Sequence, residues 1–284
     1  MKKTALIISC ICLFLFLSCA KEAVVKLPET KPLPVMYSYI CPADSVIRLK
    51  LLSSSPLYSS NQIDVLAPVS DGYVTISSAQ GTAQLIFNQN TRYYELKTSS
   101  YPILPGQVYK MTVTTINGDE ATAETQVPFT TVPINGVTVE TIIENSQTSD
   151  RIKVSFTDEP GRGNYYRLAV LHGYAYTSQA DTLTDETRIN ERYSDIHHDG
   201  ENASLIGIFY QGNDSTKHYS TEYYDVFLYN CSESYYKFYK SLRTDLSGIS
   251  FPPPAEPTLN YSNIKGGFGC FAAYTRSRLR YKKK

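Results

Sequence analysis

The sequence contains no tryptophan. An indole is the broadest flat face a side chain can lay against a sugar ring, so its absence weighs against a sugar-stacking platform. Excess charge is missing too: 27 Lys and Arg balance 27 Asp and Glu. A chain without a basic surplus has no electrostatic footprint for nucleic acid. Cysteine is scarce, and beyond Cys19 only Cys41, Cys231 and Cys270 remain. Three thiols close at most one intramolecular disulfide, which excludes a disulfide-built scaffold; each reads as an isolated buried cysteine. There is no GxSxG, HExxH, Walker A or CxxC pattern and no internal repeat. A triad or carboxylate pair assembled from distant residues would leave no local trace, but the expectation is a non-catalytic protein without a cofactor. Helical periodicity is sparse, and only one long apolar run occurs.

That run is Ala5–Leu17, preceded by Lys2 and Lys3 and interrupted only by Ser9, Cys10 and Cys12. A helix needs about 20 apolar residues to span a bilayer core, so the run is too short, and it has the length of a secretory h-region. It ends in Phe16-Leu17-Ser18-Cys19, which resembles a bacterial lipobox with Phe16 where Leu is usual. The expectation is a cleaved signal over residues 1–18 and a lipidated Cys19; an ordinary signal peptide or an uncleaved anchor is the plainer alternative. One acyl chain holds a protein marginally, at about 0.8 kcal/mol per buried CH₂. Bacterial lipoproteins of this kind resemble one another in carrying three chains on the cysteine, which makes attachment stable. Removing the signal leaves 25 basic against 27 acidic residues. Residues 19–34 follow as a tether, polar and spaced by Pro28, Pro32 and Pro34.

Tyrosine is abundant, 24 residues, and with Val, Thr and Ile favours strands. In Val46–Leu52, Ile47, Leu49 and Leu51 alternate with Arg48 and Lys50, the period of a half-buried strand. Further short strands are expected at 73–76, 83–87, 92–96, 108–116 and 121–127, the last two joined by the hairpin turn Asn117-Gly118. Strands at 137–143, 151–156, 165–171, 203–210, 223–229 and 267–281 follow, with residues 172–202 a long polar connection lacking a clear period. One helix is expected over Ser232–Leu246, capped by Ser232, stopped by Gly248 and striped with Tyr235, Tyr239, Leu242 and Leu246. The fold class is all-β: two β-sandwich-like domains in tandem, one short helix packed on the second. The first, Ig-like or carboxypeptidase-regulatory-like, takes residues 35–128; the second takes 129–284.

Four pieces of sequence occur together and in order. They are Pro105-Gly106-x-x-Tyr109, Asp158-x-x-Gly161-x-x-Asn164-Tyr165-Tyr166-Arg167 and Tyr235-Tyr236-x-Phe238-Tyr239-x-Ser241-Leu242. The most specific is Ser262-Asn263-Ile264-x-Gly266-Gly267-Phe268-Gly269-x-Phe271-x-Ala273-Tyr274. Across nearly the whole mature chain this resembles the Bacteroidota lipoprotein family catalogued as domain of unknown function 4249. The resemblance implies an outer-membrane lipoprotein, often encoded beside a TonB-dependent transporter. That family has no established activity, so no catalytic residue carries over.

Candidate chemistry is thin. If Asp195–Glu201 is extended, Asp195, His197, Asp199 and Glu201 share one face and could hold a divalent ion; the same text also makes a solvated turn. Tyr174, Tyr176, Tyr193, Tyr210, Tyr219 and Tyr223 fall in or beside polar loops and could form an aromatic binding surface, or simply pack strands. Lys265–Gly269 lacks the following helix a phosphate loop needs, so its glycines read as a bulge or a close backbone contact. Arg276, Arg278, Arg280 and Lys282 alternate, as on a charged edge strand or one facing anionic lipid. Ser45, Thr182 and Ser215 sit in short patterns resembling those Bacteroidota O-glycosylate on exported proteins.

The function expected from these residues is a non-catalytic surface lipoprotein of the outer membrane. Its partners would be the membrane, through the N-terminal lipid, and a TonB-dependent transporter that it assists or feeds with an unnamed ligand. A structural or adhesive surface protein is the alternative, and a hydrolase the least supported reading.

Overall fold

The first strand, β1 (Pro34–Ile40), begins where the proline-spaced stretch ends. The structure is a computed structural model that describes residues 31–54, 68–144, 147–176, 182–185, 191–194, 199–210, 219–242 and 260–283. By internal contacts the chain divides into Met1–Lys31 with Pro56–Gln62, and Pro32–Ser55 with Ile63–Lys284. Every element below belongs to the second unit. Cys19 and the tether up to residue 30 lie outside the described residues. No described helix is long and apolar enough to cross a membrane.

After β1 come β2 (Val46–Ser53), β3 (Tyr73–Ser78), β4 (Gly81–Asn88), β5 (Tyr93–Lys97), β6 (Val108–Thr114) and β7 (Glu120–Gln126). They run in the order β1-β2-β5-β4-β3-β6-β7, each pair antiparallel. Strand β4 turns the corner of the sandwich: Gly81–Leu85 pairs with β3, and Ile86–Asn88 pairs with β5. The expected alternation is met. Ile47, Leu49 and Leu51 are buried on β2, and Tyr109, Met111 and Val113 on β6. Each such aliphatic side chain contributes about 1.5–3 kcal/mol on leaving water. The Asn117-Gly118 hairpin is present, with Gly118 at φ +82° and its N–H donating to the Thr115 carbonyl.

The second half holds β8 (Gly136–Glu144), β9 (Gln147–Thr157), β10 (Tyr165–Tyr176), β11 (Thr182–Asp185), β12 (Glu191–Ser194), β13 (Asn202–Tyr210) and β14 (Tyr219–Cys231). The helix α1 (Glu233–Ser241) and the long β15 (Phe268–Lys282) close the chain. A three-stranded sheet, β13-β9-β8, carries Ile152, Val154, Phe156 and Leu205 into a core shared with Leu168, Val170, Tyr224 and Val226. The fold is therefore mainly β with a single described helix, as expected.

Three details differ from the sequence reading. Residues 172–202 are not a plain connection: β10 runs on to Tyr176, and β11 and β12 both pair along it. Backbone pairing needs no apolar period, so polar text hid both strands. The helix core is Tyr235 and Phe238, whereas Leu242 is exposed; Leu246 and Gly248 lie outside the described residues. Finally, β15 is no edge. It lies between β14 and β1, with Phe268–Ala273 parallel to β1 and Tyr274–Lys282 antiparallel to β14. The expected boundary near residue 128 falls between β7 and β8, yet this last strand belongs to both halves. Its side chains divide by alternation: Phe271 and Ala273 join the first core, while Cys270 and Ala272 face α1.

The glycines before β15 make that position attainable. A Cβ on Gly266 would strike the Glu120 carbonyl, one on Gly267 the Pro34 carbonyl, and one on Gly269 the Met36 carbonyl. Gly266 and Gly269 also have φ of +79° and +110°. The most specific motif thus records a backbone threaded between β7 and β1.

Candidate functional site

An open groove of about 750 Å³ lies where the two halves meet. Its walls are Glu124–Phe129 at the end of β7, the turn 159–164, residues 230–234 entering α1, and Tyr261 with Asn263. Two of the four sequence pieces, Asp158–Arg167 and Ser262–Tyr274, contribute residues to it.

The β7 wall is an unfinished strand edge. Val127 N donates to Gln107 O at 3.0 Å and Val127 O accepts from Gly106 N at 3.0 Å, so odd residues of β7 pair with β6. Even residues turn the other way. Thr122 exchanges two bonds with Lys265, at 2.9 and 2.8 Å. Two residues on, Asn263 Nδ2 donates to Glu124 O at 3.3 Å while the same side chain holds both backbone groups of Phe271. The neighbouring chain then leaves β7, Tyr261 N donating to Ser241 Oγ at 3.0 Å, and the Gln126 backbone is left facing the groove.

The opposite wall is tightly laced. Gly200 N donates to Asp158 Oδ2 at 2.9 Å and Gly161 N to Asp199 Oδ1 at 2.7 Å. Asn164 Nδ2 donates to the carbonyls of Glu159 and Gly161, each at 2.7 Å, and Glu159 N donates to Tyr166 Oη at 3.2 Å. Asp158-x-x-Gly161-x-x-Asn164 is therefore a turn that fastens itself. At the end of the groove, Ser232 Oγ caps α1 through Tyr235 N at 3.5 Å and also accepts from Ala273 N at 3.1 Å. Among the described residues, Glu124, Glu159 and Glu233 line the groove against a single guanidinium, Arg162. Phe129, 72% exposed, lies over Gly106 at its rim.

The residues singled out in the sequence lie elsewhere. Of the metal candidates, Asp199 and Glu201 are exposed, and Asp199 accepts the Gly161 amide; Asp195 and His197 lie outside the described residues. No three His, Cys, Asp or Glu side chains among the described residues gather to hold a metal. The six tyrosines lie on strands: Tyr174 and Tyr176 on β10, Tyr193 on β12, Tyr210 on β13, Tyr219 and Tyr223 on β14. Tyr223 covers Gly173, with the Arg280 guanidinium 4.0 Å from its centroid, and Tyr174 packs 5.2 Å from His172. The side chains of Tyr176, Tyr193, Tyr210 and Tyr219 lie outside the description. Ser45 is exposed before β2, Thr182 opens β11 and Ser215 is outside the described residues. The alternating arginines of β15 are matched by acids: Asp225 accepts from Arg278 at 2.6 Å and from Arg280 at 2.6 and 2.8 Å, and Asp44 meets Arg276 at 3.1 Å.

Sequence reasoning passed over two buried polar clusters. Asp150, wholly buried on β9, accepts from Thr141 Oγ1 at 2.7 Å, Lys283 Nζ at 2.7 Å and the Tyr224 hydroxyl. Beside it, His172 Nε2 meets Glu222 Oε1 at 3.0 Å. Burial opposes the Glu222 charge, but His172 and Lys283 outweigh it and hold this carboxyl below the usual range. A signal existed: Asp150 occupies the inward register of Ile152, Val154 and Phe156. In the second cluster, Arg167 donates to Tyr235 Oη and lies 4.5 Å over the Tyr239 ring. The three described cysteines, Cys41, Cys231 and Cys270, are free thiols; burial pushes Cys41 to about 11, Cys270 to about 12 and Cys231 higher, which makes them poor nucleophiles.

A family model described as "Domain of unknown function (DUF4249)" matches residues 21–280. The chain belongs to this family. The DUF4249 match spans the residues of the self-fastening turn, the capped α1 and the threaded glycines. No curated protein matches the chain. Among solved structures, one titled "Cytokine receptor complex - Crystal form 2" matches at 11% identity, over 68% of this chain and 89% of that one, with a TM-score of 0.24. At that score the likeness carries no argument.

Proposed function

We propose that this DUF4249 chain is a non-catalytic lipoprotein of a Bacteroidota outer membrane, anchored through Cys19 and facing the cell surface. Its role is to capture a ligand for a TonB-dependent transporter, or to assist that transporter in nutrient uptake. The N-terminus carries this reading: a charged n-region, a short apolar run and Ser18-Cys19, then a polar proline-spaced stretch ending where β1 begins. The groove beside β7 supports capture, because it is open, roomy and held by fixed hydrogen bonds.

The test is fractionation with purification from native membranes. Wild-type chain should label with an alkynyl fatty acid, sediment with the outer membrane and bring a transporter with it in mild detergent. Cys19→Ala should lose label and sedimentation together. An unprocessed Met1 start, or a chain recovered alone in mild detergent, would count against anchoring and partnership respectively. A structural or adhesive role draws on a different observation, the sharing of β15 by both halves, which suits a load-bearing strand. Unchanged adherence and envelope integrity on deletion would remove it.

A further inference from the structure

The capture reading leaves open what the groove takes; the inference here rests on that reading for its biological setting. We infer that the groove receives an extended peptide segment of a partner protein, one bearing basic side chains.

The first reason is the strand edge. Gln126 presents an N–H and a C=O toward the groove, since Val127 and the other odd residues pair with β6. A peptide laid antiparallel against Gln126 exchanges two backbone bonds with it and extends the line that Lys265 and Asn263 begin. The second is charge. Among the described residues, Glu124, Glu159 and Glu233 border the groove with Arg162 as the one cation lining it, and Glu233 pairs with Lys237 at 2.8 Å.

The same inventory argues against other ligands. A sugar is gripped by amides and hydroxyls, but Asn164, Asn263 and Ser232 already spend theirs on the backbone. An anion would meet three carboxylates. What remains is a strand edge, acidic side chains and the exposed Phe129 ring, which suit an extended chain with alternating lysines or arginines.

The experiment titrates full-length protein in non-ionic detergent with a labelled Lys-Val-Lys-Val-Lys peptide and its Glu-Val-Glu-Val-Glu counterpart, read by anisotropy. The basic peptide should bind saturably and weaken with added salt; the acidic one should not bind. Combined Glu124→Gln and Glu159→Gln should weaken binding at least about tenfold. Gln126→Pro removes the outward N–H, together with the side-chain bond from Gln126 Nε2 to the Gly106 carbonyl, and should weaken binding similarly. Circular dichroism checks its folding, and the paired Gln substitutions decide if it is disturbed. No binding, equal binding of both peptides, or binding unchanged in the Gln variants would overturn the inference. Anchoring through Cys19 would stand untouched by such a failure, just as loss of anchoring would leave peptide binding in solution intact.

Discussion

Glycine is the residue this fold can least replace, because at three positions the backbone occupies the space of a side chain. Gly269 combines φ +110° with a carbonyl in the path of any Cβ. Gly269→Ala should therefore cost about 2–4 kcal/mol, read as a lower urea midpoint with unchanged slope. Gly118, at φ +82° with open space around it, should lose only about 1 kcal/mol as Ala. Acids set the pH response. The Arg280 hydrogen bond, against the pull of burial and with help from Arg278, holds Asp225 below the ordinary carboxylate range, and Glu222 is held low as well. A depressed folded pKa stabilises above the unfolded value and loses that contribution as pH falls through the folded one. Stability should thus be flat near neutrality and decline from about pH 4 downward, and Asp225→Asn should flatten part of that decline in a pH-resolved denaturation series.

At the scale of elements, β15 and α1 depend on one another. Ser232 Oγ serves the helix through Tyr235 N and the strand through Ala273 N, so Ser232→Ala should cost at least the ~1 kcal/mol of an ordinary cap. Thermal melting of the variant measures it. The end of β15 is fixed differently. Lys283 places its ammonium 2.7 Å from a wholly buried carboxylate on another sheet. Lys283→Met should cost about 3 kcal/mol, most of it the penalty of leaving Asp150 without that cation. A loss under 1 kcal/mol, comparable to a surface pair, would show that the ammonium is dispensable.

For the whole molecule, a strand common to two cores makes them one thermodynamic unit. Chemical denaturation followed by a probe in the β1–β7 half and another in the β8–β14 half should give coincident transitions. Two separated midpoints would mean that the halves fold independently despite β15. Much of the architecture was legible beforehand. Alternation on β2 and β6 announced half-buried strands, Asn117-Gly118 announced its hairpin, and Ser232 announced the start of α1. The groove was less so, since its residues come from positions far apart in the chain and most of its fixed bonds involve backbone, which every residue carries.

What the sequence determined by itself is local: strand or helix, which face is apolar, where a turn must take a positive φ, and a signal-like N-terminus ending in Cys19. Those features follow from the period of side chains along a few residues. Only the tertiary structure decided that the last strand would lie beside the first, that its arginines would meet Asp225 and Asp44, and that Asp150 would be buried against Lys283. Such pairings join residues more than fifty positions apart, and no local period encodes which distant strand will become a neighbour.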